Sequence, residues 1–245
     1  TILRVVLFLL FLPLSKPPCL VFLSFCIFGI CEKSQIEKKQ GIPDREVWIM
    51  REKEEIKQLL ESLSLMADEI NTILVEAIKS LKADSKAILT KLEEKDLIID
   101  RMENEIDSKC LRILALYQPE ADILRTITMV MKINNDLERI GDHAINIVER
   151  GVTIGGTLPE TISKKLENMG ILTQTMLSNV ITAFIAKDSA SAKSVMAKDD
   201  EVDNLLKEII NLALFGDEAK LIEREKALAV ASAARELERI ADLIT

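Results

Sequence analysis

The sequence predicts an all-α protein, an elongated bundle of two tandem three-helix repeats. Three observations carry this reading. Gly and Pro are scarce, 8 and 6 of 245 residues, which disfavours sheet folds with many turns. Apolar residues recur at helical spacing through six long stretches. Short motifs of the second and third stretches return, in the same order, in the fifth and sixth.

The chain is acidic, with 32 Lys plus Arg against 40 Asp plus Glu, a net charge of -8. That excludes nucleic-acid binding through bulk charge, because phosphate neutralisation needs a basic surface. Composition then divides the chain. Five of the seven Phe and three of the four Cys fall in the first 31 residues. Residues 1–49 carry +2, and the remainder carries -10. Two apolar runs, 5–14 and 19–30, flank Ser15-Lys16-Pro17-Pro18, and neither is long enough to span a bilayer. Residues 1–49 therefore read as an extension outside the fold. A targeting or membrane-surface segment, the tail of an upstream unit, and translated sequence ahead of the natural start compete, with the last favoured.

The helical part opens at Met50. Its first stretch runs to about Leu81 with Ile56, Leu59, Leu63, Met66, Ile70 and Ile73 on one stripe. A break near Ala83-Asp84-Ser85 follows. The second helix runs from about Ser85 to Tyr117, with Ile98, Met102, Ile106, Cys110 and Ile113 as its stripe, and Gln118-Pro119 closes it. Cys110 on that stripe reads as a small core residue. Pro119 suits the first turn of the third helix, which ends before Gly151. Residues 50–152 form the first repeat, 153–158 a linker and 159–245 the second repeat. Within the latter, helices are expected from Pro159 to about Lys187, Ser189 to Leu214, and Asp217 to the end.

Asp136-Leu137-Glu138-Arg139-Ile140-Gly141-Asp142 matches Glu236-Leu237-Glu238-Arg239-Ile240-Ala241-Asp242, 100 positions on. Asn104-Glu105-Ile106-Asp107 matches Asp200-Glu201-Val202-Asp203, 96 positions on. Four acidic pairs spaced i, i+4 result: Glu103/Asp107, Glu138/Asp142, Asp199/Asp203 and Glu238/Asp242. Each pair shares one helix face. Antiparallel packing of the second helix on the third would bring two pairs together, and so many carboxylates are costly to ionise without a cation. An all-oxygen cluster suits hard ions such as Mg, Mn or Fe. Solvated acidic faces are the competing explanation, and Arg139 and Arg239 could neutralise them. Repetition in both halves favours ligands. His143, one position past Asp142, points away from that face. No phosphate loop, nucleophile–base pair or zinc spacing is present, so catalysis is not expected.

Pro119-Glu120-Ala121-Asp122-Ile123-Leu124-Arg125, with Leu137-Glu138-Arg139-Ile140-Gly141-Asp142-His143-Ala144-Ile145-Asn146-Ile147 and its echo at 237–242, resembles the PhoU family of phosphate-specific transport accessory proteins. The resemblance covers roughly Met50 to Thr245. It implies spectrin-like up-and-down repeats and a multinuclear metal cluster (Fe, Mn, Mg or Zn) in each, held by Glu103, Asp107, Glu138 and Asp142, and by Asp199, Asp203, Glu238 and Asp242. It also implies a cytoplasmic homodimer that can sit peripherally at the inner face of the membrane. Its implied partners are the ATPase subunit of the phosphate ABC transporter and the sensor histidine kinase of the phosphate regulon. Its implied role is negative regulation of phosphate uptake and starvation-gene expression. Relative to the family pattern, the sixth helix stops short at Thr245. Two other readings stay open: a cytoplasmic PhoU-like domain of a sodium/phosphate cotransporter, and a purely structural bundle.

Overall fold

The computed structural model describes residues 45–82 and 85–245. Expectations for residues 1–44 and for Ala83-Asp84 lie outside the described residues. The described residues form six α-helices: α1 Arg45–Ser80, α2 Lys86–Tyr117, α3 Ala121–Ile154, α4 Glu160–Ala186, α5 Ser189–Leu214 and α6 Arg224–Ile244. A 3-10 turn, Asp217–Lys220, precedes α6.

Each repeat is an up-down-up triplet. In the first, α1, α2 and α3 pack on one another; in the second, α4, α5 and α6 do. The repeats meet through two further pairs, α3 with α6 and α1 with α4. The α1–α4 pair is antiparallel: Asn71 bonds Ser178 (3.1 Å), while Lys82, just past the end of α1, bonds Glu167, further back on α4. The helices α2 and α5 pack only within their own repeats and flank the bundle. By length and composition α4 is apolar enough to cross a membrane, but half of that stretch is buried here, against α1, α5 and α6.

Burial shows how the repeats correspond. Leu59, Leu63, Met66, Ile73 and Leu74 of α1 answer to Ile162, Leu166, Met169, Met176 and Leu177 of α4, each 103 positions on. Leu92, Ile99, Ile106 and Cys110 of α2 answer to Val195, Val202, Ile209 and Ala213 of α5, again 103 positions on. Ile127, Val130, Ile133, Leu137 and Ile140 of α3 answer to Ala227, Val230, Ala233, Leu237 and Ile240, only 100 positions on. Matched positions on the second and third helices thus lie three residues closer along the chain in the second repeat, where α5 also ends earlier than α2 does. Each of these apolar side chains contributes about 1.5–3 kcal/mol by leaving water if it is as large as Val or Leu, so the matched stripes hold both triplets.

Four boundaries differ from the sequence reading. Helix α1 starts at Arg45 rather than Met50, so the extension expected outside the fold contributes at least 45–49 to it. Trp48 there packs edge-on against Tyr117, with ring centroids 5.3 Å apart and planes at 73°. Pro119 lies one residue before the cap of α3, Glu120, rather than in its first turn. Helix α3 continues through Gly151 to Ile154 and stops at Gly155, whose φ of 64° is the left-handed cap that favours glycine. Gly151 is needed instead for close approach: a Cβ there would lie 2.8 Å from Ser80 Oγ and 3.0 Å from the Ser80 carbonyl oxygen. Helix α6 begins at Arg224 rather than Asp217. Gly216 and the 3-10 turn occupy the intervening stretch.

Candidate metal centre

The seam between α2 and α3 and the seam between α5 and α6 each carry a face of carboxylates. On α2 the acids sit at Asp96, Asp100, Glu103 and Asp107, one helical turn or less apart. Across the antiparallel seam, α3 presents Glu138 and Asp142. Burial raises the proton affinity of Asp96, and the charges of Asp100 and Asp142 raise it further. Burial likewise raises that of Glu138, followed by Asp142, Glu103, Asp100 and Asp96. For Glu103 the causes are burial, then Asp107 and Asp100. In the second repeat, burial and then Asp242, Asp203 and Asp200 raise Asp199. Glu238 is raised by burial, then Asp242 and Asp203, with Arg239 opposing. The six acids of the first seam and the four of the second are therefore two groups of mutually repelling charges.

These interactions correct the sequence register. Asp199 feels Asp203 and Asp242; its counterpart by charge environment in the first repeat is Asp96, which feels Asp100 and Asp142. The burial match places Asp96/Asp100 opposite Asp199/Asp203 as well, 103 positions apart. Glu103 and Asp107, read as that counterpart from the 96-position match, stand one heptad further along α2. Glu103 remains beside Glu138. Asp107 instead accepts a hydrogen bond from Asn134 Nδ2, 3.1 Å away. The residues missed in the sequence are Asp96, Asp100 and Asn134. The signal that locates the first two is the apolar stripe Leu92–Ile99–Ile106–Cys110, which aligns with Val195–Val202–Ile209–Ala213.

The arginines pair with other acids, although Arg239 partly opposes the rise at Glu238. Arg139 turns to Asp136 (3.6 Å) and Arg239 to Glu236 (3.0 Å), both buried acids on the opposite side of their helices at the α3–α6 contact. Among the described residues, no Lys or Arg comes within ion-pair distance of Asp96, Asp100, Glu103, Glu138, Asp142, Asp199, Asp203 or Glu238. His143 sits on the same inter-repeat contact, its Nδ1 2.7 Å from Glu236 Oε2. Cys110 is fully buried, its thiol pushed up to about 12 mainly by burial, which suits a core residue and not a ligand.

The donor set fits a hard cation: oxygen only, on two rigid helices, with carboxylates whose charges raise one another's proton affinity. Convergence is partial. Among the described residues, no three His, Cys, Asp or Glu side chains close around a single point as a ready-made ion cage. Side-chain rotation on the seam-facing surface is the movement left for an ion to induce.

The fold has known counterparts. The PhoU domain family matches residues 63–151 and again 166–245. A phosphate-specific transport system accessory protein PhoU homolog of Clostridium acetobutylicum is 31% identical over 195 residues, covering 78% of this chain and 88% of that protein. The Aquifex aeolicus homolog is 34% identical, over 62% of this chain and 68% of its own length. The crystal structure of PhoU from Pseudomonas aeruginosa superimposes with a TM-score of 0.71 at 29% identity, covering 78% of this chain and 92% of that one. A Streptococcus pneumoniae protein described as the phosphate transport system regulatory protein PhoU has the same TM-score at 25% identity. Two matched domains spanning most of the described bundle, with relatives of this identity and coverage, place the chain in the PhoU family.

Proposed function

We propose that this chain is a non-catalytic accessory protein of phosphate transport, which restrains phosphate uptake and phosphate-starvation gene expression as a metal-carrying adaptor. The observation that carries the metal part is the duplicated seam of mutually repelling carboxylates. Asp96, Asp100, Glu138 and Asp142 would hold ions in the first repeat, and Asp199, Asp203, Glu238 and Asp242 in the second. A bound divalent or trivalent cluster (Fe, Mn, Mg or Zn) would supply the positive charge that lets each outer helix lie close against its inner neighbour. The regulatory part is supported by the names of the relatives, which associate them with phosphate transport. Its partners would be the ATPase subunit of the phosphate ABC transporter and the sensor histidine kinase of the regulon. The adaptor would act as a cytoplasmic homodimer at the inner membrane face.

Two measurements test this. Metal content of the purified chain is compared with a variant carrying Asp96→Asn, Asp142→Asn, Asp199→Asn and Asp242→Asn. The same two chains are then expressed in a bacterium lacking its own PhoU, with phosphate uptake and a starvation-induced reporter as readouts. Metal in the parent but not the variant, with only the parent restoring repression, is expected. Equal metal in both, or no restoration by the parent, overturns the reading.

A further inference from the structure

The first helices of the two repeats differ in length, 36 residues in α1 against 27 in α4. The burial match at 103 positions sets Lys57 against Glu160, the first residue of α4, so 45–56 have no counterpart in the second repeat. The α1–α4 contact places the same excess in space. Position numbers across it total 249 at Asn71–Ser178 and again at Lys82–Glu167. Ala186, the last residue of α4, is thus about level with Leu63. The 45–62 stretch of α1, about five turns, runs on beyond it.

A groove of about 450 Å3 lies where α4 gives out. Ile185, near the end of α4, lines it with Lys53, Ile56, Lys57, Leu60, Glu61 and Ser64 of α1. Those six positions recur at helical spacing and share one face of α1. Ile56 and Leu60 are half-buried and pack on the core, while Ile185 is 37% exposed. The apolar floor of the α1–α4 seam therefore continues past the helix that covers it. A second helix in the lane of α4 would complete the packing, and about three turns would span 53–64.

Charge selects the kind of helix. Lys53 and Lys57 edge the floor. Lys53 is exposed and forms no ion pair among the described residues. Lys57 approaches Glu61 at 3.8 Å, but both side chains are well exposed, so this pair contributes little. The chain beyond residue 49 carries -10, so a lysine-edged apolar groove contrasts with the rest of it. Acidic residues beside an apolar stripe would complement the two lysines, and basic ones would be repelled.

We propose that the groove on α1 beyond the end of α4 docks an amphipathic helix of a partner protein, apolar along one stripe and acidic beside it. The groove involves neither carboxylate seam, so the proposal stands whether or not the seams hold metal.

The probe is a fluorescein-labelled synthetic helix of about four turns, with Leu at heptad a and d positions and Glu beside them. A twin carries Lys in place of each Glu. Fluorescence anisotropy with the purified full chain is expected to show the Glu peptide bound at least ten-fold more tightly than the Lys twin. Lys53→Glu with Lys57→Glu changes only exposed positions and should reverse that preference. Leu60→Asp should weaken both peptides at least ten-fold; if it does not fold, the lysine pair still decides. No binding of the Glu peptide, or equal binding of the two peptides by the parent, overturns the proposal. So does a Glu peptide that binds the lysine variant as well as the parent. Two measurements on the same chains identify another occupant. Binding to phosphatidylserine-containing vesicles without peptide binding overturns the proposal in favour of a membrane surface. A dimer seen by sedimentation, lost in the lysine variant and insensitive to the peptide, overturns it in favour of a second copy.

Discussion

His143 Nδ1 on α3 lies 2.7 Å from Glu236 Oε2 on α6, a hydrogen bond that crosses from one repeat to the other. The Glu236 side chain is 8% exposed, and its second oxygen accepts from Arg239 at 3.0 Å. By register, the mirror positions are Asp136 and Leu243, so the internal symmetry is broken at this pair. Removing the imidazole leaves a buried carboxylate served by one arginine. His143→Ala should therefore lower stability by about 1–3 kcal/mol. Replacing both partners, His143→Leu with Glu236→Leu, should recover most of that loss, because an apolar pair has no charge to desolvate. Urea unfolding of the three chains measures it. A double variant no more stable than His143→Ala contradicts the assignment.

The raised carboxyls predict an unusual pH response for the metal-free protein. Asp96, Glu103, Glu138, Asp199 and Glu238 all have folded-state proton affinities above their ordinary values, chiefly from burial and then from one another. A carboxyl raised on folding favours the folded state below its unfolded pKa, and that contribution is lost as pH rises through the raised folded value. Stability should thus increase as pH is lowered from about 7 to about 5, across the upper carboxylate range. Glu138→Gln should flatten the curve. Melting curves recorded across that range with chelator present supply the check; a Tm that falls monotonically with acid rules the mechanism out.

Helix number, order and the two-repeat plan were legible in the sequence because long amphipathic stripes need no tertiary information. The carboxylate register was not. Asp96, Asp100, Glu103 and Asp107 form two i, i+4 pairs one heptad apart, and local matching cannot choose between them. The strong match of Glu138–Asp142 to Glu238–Asp242 at 100 positions invites a similar offset for α2. Matched positions on α5 and α6 stand three residues closer along the chain than those on α2 and α3, so the true offset is larger. Asn134 and the His143–Glu236 contact were invisible for a different reason. Each joins residues on separate helices, and nothing local marks their burial. Gly151 misled in the opposite direction, since a helix-ending residue type serves there as a packing residue.

That packing role is testable. A methyl group at Gly151 would meet Ser80 Oγ at 2.8 Å and the Ser80 carbonyl and Ser85 Oγ at 3.0 Å. The carbonyl belongs to backbone at the end of α1 and cannot swing aside. Alanine normally stabilises a helix over glycine by about 1 kcal/mol. Gly151→Ala should nevertheless destabilise the chain by about 1–3 kcal/mol, through overpacking between α1 and α3. Thermal unfolding of Gly151→Ala and of a Gly151→Ala, Ser80→Ala pair separates the causes. Partial recovery in the pair is expected, because removing Ser80 Oγ relieves only one of the three contacts. A stabilised Gly151→Ala would show that the helix ends can part freely.

The start of α1 offers the last test, because it decides where the folded unit begins. Trp48 precedes Met50, where the helical pattern opens, yet its ring meets Tyr117 at the end of α2 in an edge-on pair 5.3 Å apart. Such pairs contribute about 0.5–1.5 kcal/mol beyond the apolar area they bury. The contact ties the first turn of α1 to the α2–α3 link, next to Gln118 with its left-handed φ of 46°. A double-mutant cycle with Trp48→Ala and Tyr117→Ala should return a coupling of that size. The two single variants should each unfold at lower urea than the parent. Strict additivity would mean that the residues before Met50 lie against the bundle without supporting it, and the folded unit would then begin at Met50 after all.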